Sequence, residues 1–481
     1  MKTKILLVVV YILTAIAFVT AQQVDRSKYP SAGEIPSVTL PTIETFSLRN
    51  GLPVYYLNKS EVPVLQLHLM IKTGSAHEPE KQTGLAAITA SMLKEGAGKR
   101  SALELADEID YLGITLNAYA GTEQSGITLF TPLSRLDPAL ELMRDILLYP
   151  QFSEQELERK RKSLLVNLAQ AHDEASILAA TAFSRLVYGS SHPYGRMKNG
   201  TETTIRTFKT DDLKNFHRQH YVPENAYLIA VGAADKSELQ EKLERLFAEW
   251  KSGTSNSVKV SDPKPVKGRT VYIVDKPGAA QSEIQIGCVG VNRNTPDYYA
   301  ITVMNTILGA SFTSRLNQNL RETHGYTYGA GSRFRMFRSK GAFVAASAVQ
   351  TEVTDKALME FMKELTDISR TVTDEEVAKA RNYVALGYPG DFQSVQSVAS
   401  LMDEKIFYDL PDAYFNDYVK NILAVTREDV LRVAKAYINP DNLVIVIAGD
   451  RSKIEPGIKK MKLGKIVNLT HEDVLGKVPK L

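Results

Sequence analysis

Cysteine occurs once in the 481 residues, at Cys288. A single thiol excludes an intramolecular disulfide and any zinc or redox centre built from cysteine pairs. Histidine is also scarce, with eight in the whole chain, so a metal site would have to be assembled from few candidates. Charge of one sign is lacking too: 58 basic residues face 55 acidic ones for a net +3. No block of five or six like charges interrupts that balance, and a nucleic-acid partner is not expected. Neither a Walker-type phosphate loop nor a Gly-x-Ser-x-Gly elbow is present, which removes the usual sequence anchors of nucleotide binding and of a serine hydrolase.

What is present is an ordinary core-forming composition, 44% apolar and 23% charged, over a length that suits several domains. Long apolar runs are confined to the start. Met1 to Lys4 carries two lysines, Ile5 to Val19 is nearly unbroken apolar, and Val19-Thr20-Ala21 fits a small-x-small cleavage site. Residues 1–21 therefore read as an export signal, with an uncleaved membrane anchor as the alternative. Export without disulfides suits a periplasm if the source is a Gram-negative bacterium.

The chain also repeats itself. "DPALELMRDILLYPQFSEQELERKRKSLL" (137–165) resembles "DKALMEFMKELTDISRTVTDEEVAKARNYV" (355–384) at an offset of 218 to 220. Both place a long amphipathic helix before a Ser- or Thr-capped acidic helix start. "DDLKNFHRQHYVPENAYLIAVGAAD" (211–235) resembles "EDVLRVAKAYINPDNLVIVIAGD" (428–450) at an offset of 216 or 217, each a helix, a turn and a buried strand. Two pairs at nearly one offset indicate a duplication. The Ser-, Lys-, Gly- and Pro-rich stretch around 253–268 reads as the linker, after an arm over 22–44. That leaves one half over 45–252 and another over 269–481. Each mixes strand patterns such as "VLQLHLMIKTG" and "EIQIGCVGV" with several helices, so the fold class is α+β.

Only His217 and His220 have a spacing that could share a helix face. Their counterpart in the second half, "VAKAYINPDN", has no histidine, and the pair reads as part of a surface or boundary helix.

The order of elements resembles the insulinase and pitrilysin family of zinc peptidases, the inverzincins, and within it the short branch that includes mitochondrial processing peptidase. The resemblance rests on "FSLRNGLPVYYLNKSEVPVLQLHLMIKTGSAHEPEKQTGLA", "LNAYAGTEQS" (116–125), "HPYGR" (192–196), "HYVPENAYLIAVG" (220–232) and "SRLNQNLRETHGYTYGAGS" (314–332). It implies two similar α+β halves forming half of a clamshell chamber. It also implies a His-x-x-Glu-His helix, in which two histidines hold zinc and the glutamate activates water. Those positions fall here on Ala87, Ala90 and Ser91, and the third ligand falls at about Leu168. All four are degenerate, so this chain is expected to bind no zinc.

The family's arginine and tyrosine, seven residues apart, do have counterparts, Arg321 and Tyr328. The resemblance gives them the binding of substrate backbone and the stabilisation of an oxyanion. "ILGASFTSRL" (307–316) resembles the family's small-residue loop, whose small side chains would let a peptide backbone approach closely, or it forms a plain turn. The expectation is a non-zinc subunit of an exported heterodimeric peptidase. Its Arg321 and Tyr328 act in trans, Zn2+ sits on a homologous His-x-x-Glu-His partner, and peptides or unfolded proteins are the substrate. The alternative is a non-catalytic peptide-binding or structural homodimer.

Overall fold

A computed structural model describes residues 42–254 and 259–480. The export signal and nearly all of the arm lie outside the described residues.

The strands are β1 (Glu44–Ser47), β2 (Pro53–Asn58), β3 (Val64–Ile71), β4 (Thr115–Ala120), β5 (Ser125–Pro132), β6 (Ala226–Gly232), β7 (Thr270–Asp275), β8 (Gln281–Val289), β9 (Thr327–Arg335), β10 (Ala342–Gln350), β11 (Val444–Gly449) and β12 (Lys465–Leu469). They form two six-stranded sheets, ordered β1-β2-β6-β3-β5-β4 and β12-β7-β11-β8-β10-β9. Five strands of each sheet correspond one to one in order. The sixth does not: β1 lies antiparallel to β2, whereas β12 runs parallel to β7.

The repeated helices begin where the capping residues place them. Ser153 accepts the Glu156 backbone N–H at 3.3 Å at the start of the helix Glu154–Ala171, and Thr373 accepts that of Glu376 at 3.2 Å at the start of Asp374–Gly387. Each cap satisfies an amide that the first helical turn leaves without a partner.

One face of the first sheet packs on helices of its own half, Leu136–Leu148 prominent among them. The other face is covered from outside that half. Val395, Val398, Ala399 and Met402, on the second-half helix Val395–Phe407, pack on Leu57, Met70, Tyr227, Ile229 and Val231. Conversely Leu178, Ala179, Ala182 and Phe183, on the first-half helix Ala175–Tyr188, pack on Val274, Val344, Val446 and Ala448. This exchange explains why "AYLIAVG" and "VIVIAG" do not alternate: every residue of β6 and β11 is buried, because both faces of each sheet are covered. The halves are further joined by Glu123, whose carboxylate accepts the Arg338 backbone N–H at 3.0 Å, and by Tyr227, which donates to Asp403 at 2.5 Å. Beyond the undescribed residues 255–258, the connecting stretch lies on the second half, with Val260 and Val266 against its core and Asp262 accepting from Ser339 at 2.7 Å.

Candidate functional site

The helix that carries Ala87, Ala90 and Ser91 is Leu85–Met92. It starts at Gly84, whose φ of 98° lies in the left-handed region, and a Cβ there would come within 2.6 Å of the Gly200 backbone. Only glycine fits both conditions. The backbone N–H groups of Gly84 and Ala86 donate to the two carboxylate oxygens of Glu78 at 2.8 and 2.6 Å. Glu78 is buried, and burial pushes its carboxyl up to about 8 against those two amides and the nearby Arg196 guanidinium.

The four degenerate positions sit on two helices that pack together, and none offers a ligand. Ala87 is half-buried and Ala90 is buried, so each contributes only a methyl group. Ser91 is half-buried, with its hydroxyl donating to the Ile88 carbonyl at 2.9 Å. Leu168 is buried among Leu165 and Ile205. Zinc needs deprotonated or neutral N, O or S donors, and two methyls, an isobutyl group and an already engaged hydroxyl do not supply them. Among the described residues no group of three or more His, Cys, Asp or Glu side chains is placed to hold a metal ion.

The histidine pair lies on a boundary helix, Thr210–His220, whose Leu213, Phe216 and His220 are buried while Lys214, Asn215, Arg218 and Gln219 are exposed. His217 Nε2 lies 2.8 Å from the Leu147 carbonyl and its ring stacks on Tyr221, while His220 is buried with Nδ1 3.4 Å from the Thr73 hydroxyl. Burial holds both imidazoles down at about 4, so they are neutral at pH 7. Their rings serve the packing of the helix Thr210–His220, in which a spacing of three residues puts both on the inner side. His220 also lines a cavity of about 550 Å³ with His77, Glu78, Arg196 and Asp212, beside the helix Leu85–Met92.

The second half is arranged differently. Arg321 lies in a wide, π-type helical turn, Gln318–Thr323, a form that often accompanies functional positions. Its guanidinium lies 4.6 Å over the ring of Phe312, with Nε 3.4 Å from Glu322. Tyr328 is on β9, the outer strand, and is 91% exposed. Its hydroxyl has no hydrogen-bond partner among the described residues.

Asn317 ties these segments together. Its side-chain amide donates to the Phe312 carbonyl at 2.7 Å, and its side-chain oxygen accepts the Ala330 backbone N–H at 3.2 Å. Neither Phe312 nor Asn317 stood out in the sequence. A large apolar residue inside a run of small ones was the available signal for Phe312, and none pointed to Asn317.

Within the small-residue loop, the close approach at Gly309 is made by this chain's own backbone. A Cβ at Gly309 would collide with the Ser332 backbone nitrogen. At that one position the room left by the missing side chain is filled by β9. Asn305 donates to the Ser332 carbonyl at 3.0 Å. The outer edge of β9 is thus partly capped by Asn305 and Asn317. In the first half, β4 is the corresponding outer strand, and among the described residues only β5 bonds to its backbone.

Two family models match. The one described as "Insulinase (Peptidase family M16)" covers residues 54–191, and the one described as "Peptidase M16 inactive domain" covers 207–384. A Rickettsia bellii protein named as a zinc protease is 26% identical over 412 residues, spanning 82% of this chain and 97% of its own. A probable mitochondrial-processing peptidase subunit beta of Arabidopsis thaliana is 24% identical over 430 residues, 86% of this chain and 79% of its own. The crystal structure of a peptidase M16 inactive domain from Pseudomonas fluorescens superposes with a TM-score of 0.79 at 25% identity, over 85% of this chain and 98% of that one.

Proposed function

Because this chain belongs to peptidase family M16 and offers no zinc ligand at the four metal positions, we propose that it is the non-zinc subunit of an exported two-chain peptidase. In this reading it supplies Arg321 and Tyr328 to a site whose Zn2+ is held by a homologous His-x-x-Glu-His chain. The observation that carries the reading is the contrast between the two halves. Two methyls, an isobutyl group and an engaged serine hydroxyl occupy the metal positions, whereas Tyr328 stands 91% exposed on an outer strand with its hydroxyl unengaged among the described residues. A tyrosine kept only for packing would bury its ring.

The chemistry available to these residues is donation. A phenolic O–H can give a hydrogen bond to a carbonyl oxygen as negative charge develops there, and a guanidinium can hold the oxygens of an extended backbone. Neither group can activate water, so hydrolysis requires the partner. The open outer edge of β4 would let a peptide add as a further strand. The apolar run at residues 5–19 supports export.

The test mixes the purified chain with a His-x-x-Glu-His homologue encoded beside it. Peptidase activity is expected from the mixture and not from this chain alone. Tyr328→Phe is expected to lower kcat/KM by about 100-fold, with Arg321→Ala similarly impaired and neither thermal midpoint shifted. Undiminished activity in both variants would refute the shared site. Peptide binding by a homodimer with no activity in any mixture would favour the non-catalytic alternative.

A further inference from the structure

We propose that Phe312 determines specificity. It forms the aromatic wall of a peptide subsite whose polar side is Arg321, and it selects substrates with an apolar or aromatic side chain beside the carbonyl that Arg321 holds. This rests on the reading of Arg321 as a substrate-binding group.

Phe312 is 61% exposed, although Ile307 and Leu308 of the same loop are buried. Single exposed aromatics are common and need no explanation by themselves. Two features set this one apart. Its carbonyl is held at 2.7 Å by Asn317, which is itself only 4% exposed, so the backbone under the ring is fixed to a buried group. Arg321 also covers one side of the ring at 4.6 Å.

That stacking has a directional consequence. The cation over the ring leaves those of its N–H groups not directed at the ring for other acceptors. Among the described residues only Nε has a polar neighbour, Glu322 at 3.4 Å, which leaves the terminal N–H groups for a peptide carbonyl. The uncovered side of the Phe312 ring remains for the adjoining side chain. Asn317 also holds Ala330, two residues beyond Tyr328, so wall, guanidinium and tyrosine strand belong to one preassembled unit. Preassembly lowers the ordering cost of binding. Beside the fixed positive charge of Arg321, a lysine in the substrate would be repelled, whereas a phenylalanine or leucine would bury apolar surface on the ring.

The experiment uses the purified full chain alone and fluorescein-labelled peptides that differ only at the central residue, Phe, Leu, Ala or Lys, with anisotropy as the readout. Phe and Leu peptides are expected to bind about five- to tenfold tighter than Ala, with Lys weakest. Phe312→Ala should compress that spread to within about twofold, and Phe312→Trp should restore it. Arg321→Ala should weaken all four peptides together. No binding at millimolar peptide, an unchanged spread in Phe312→Ala, or an effect of Phe312→Ala on assembly with the zinc-bearing chain and not on peptide preference would overturn the proposal. Because the assay needs no partner and no turnover, its failure is distinct from a failure of the shared-site reading, which Tyr328→Phe in the mixture decides.

Discussion

Phe183, on a first-half helix, stands over Gly287 in β8 of the second half. A Cβ at Gly287 would lie 2.9 Å from the Phe183 ring tip and would overlap the Phe343 carbonyl oxygen. Gly287→Ala is therefore expected to destabilise the protein by about 3 kcal/mol or more. Phe183→Ala should cost a similar ~3–5 kcal/mol by leaving a cavity. The two together should show no rescue, because the Phe343 backbone oxygen remains in place. Denaturant midpoints of the two single variants and the double variant check this, and a double variant more stable than Gly287→Ala would contradict it.

Glu78 predicts a loss of stability in alkali. Its carboxyl is raised from the usual 4.5 to about 8, so the folded state binds its proton more tightly than the unfolded chain does. The resulting stability is fully present below about 4.5 and is lost as pH rises through about 8, with a size on the order of 4 kcal/mol. Glu78→Gln cannot ionise, but it presents an amide to one of the two backbone N–H groups, at a cost of about 1–3 kcal/mol. The variant should be less stable than the parent at pH 6, and its thermal midpoint should fall less between pH 6 and pH 9.5.

Restoring the base of the metal motif should fail on stability before chemistry is reached. Ala90 is 1% exposed, so Ala90→Glu buries a carboxylate without a partner and should cost about 3 kcal/mol or more. Ala87→His and Ser91→His occupy half-buried positions and should each stay within about 1 kcal/mol of the parent. Urea titrations of the three single variants measure the difference.

Tyr227 and Asp403 form a polar contact between the halves, with Gln124 3.4 Å from the same carboxylate oxygen. Burial raises the Asp403 carboxyl above its usual range, and the Tyr227 hydroxyl opposes that rise. Tyr227→Phe leaves the carboxyl without its nearest donor and should cost about 1–3 kcal/mol. In a double-mutant cycle with Asp403→Asn, a coupling of about 0.5–3 kcal/mol is expected. Additive losses would show that the contact carries no energy of its own.

Periodicity and capping made much of the fold legible. The Ser153 and Thr373 caps, the apolar runs of β6 and β11 and the duplication were all readable, because each depends on residues close together in the chain. The degenerate metal positions were readable through a resemblance, since Ala87, Ala90 and Ser91 stand in a helix with recognisable flanks. Phe312 was not readable, because stacking under Arg321 depends on a loop and a helical turn meeting in space. What approaches Gly309 was not readable for a related reason: small residues record that something comes close without recording what.

The sequence by itself determined that there are two related α+β units, through residue types at fixed spacings, and, through the resemblance, that Ala87, Ala90, Ser91 and Leu168 stand where metal ligands would be expected. Only the tertiary structure decided that each unit lends a helix to the other's sheet, that β9 closes over Gly309, and that Asn317 links Phe312 to the strand of Tyr328. Apart from the Asn317–Phe312 bond, which spans five positions, those contacts join residues from 13 to more than two hundred positions apart. Which apolar face or amide meets which is set by close packing and hydrogen-bond satisfaction across the whole fold, and no local pattern encodes that choice.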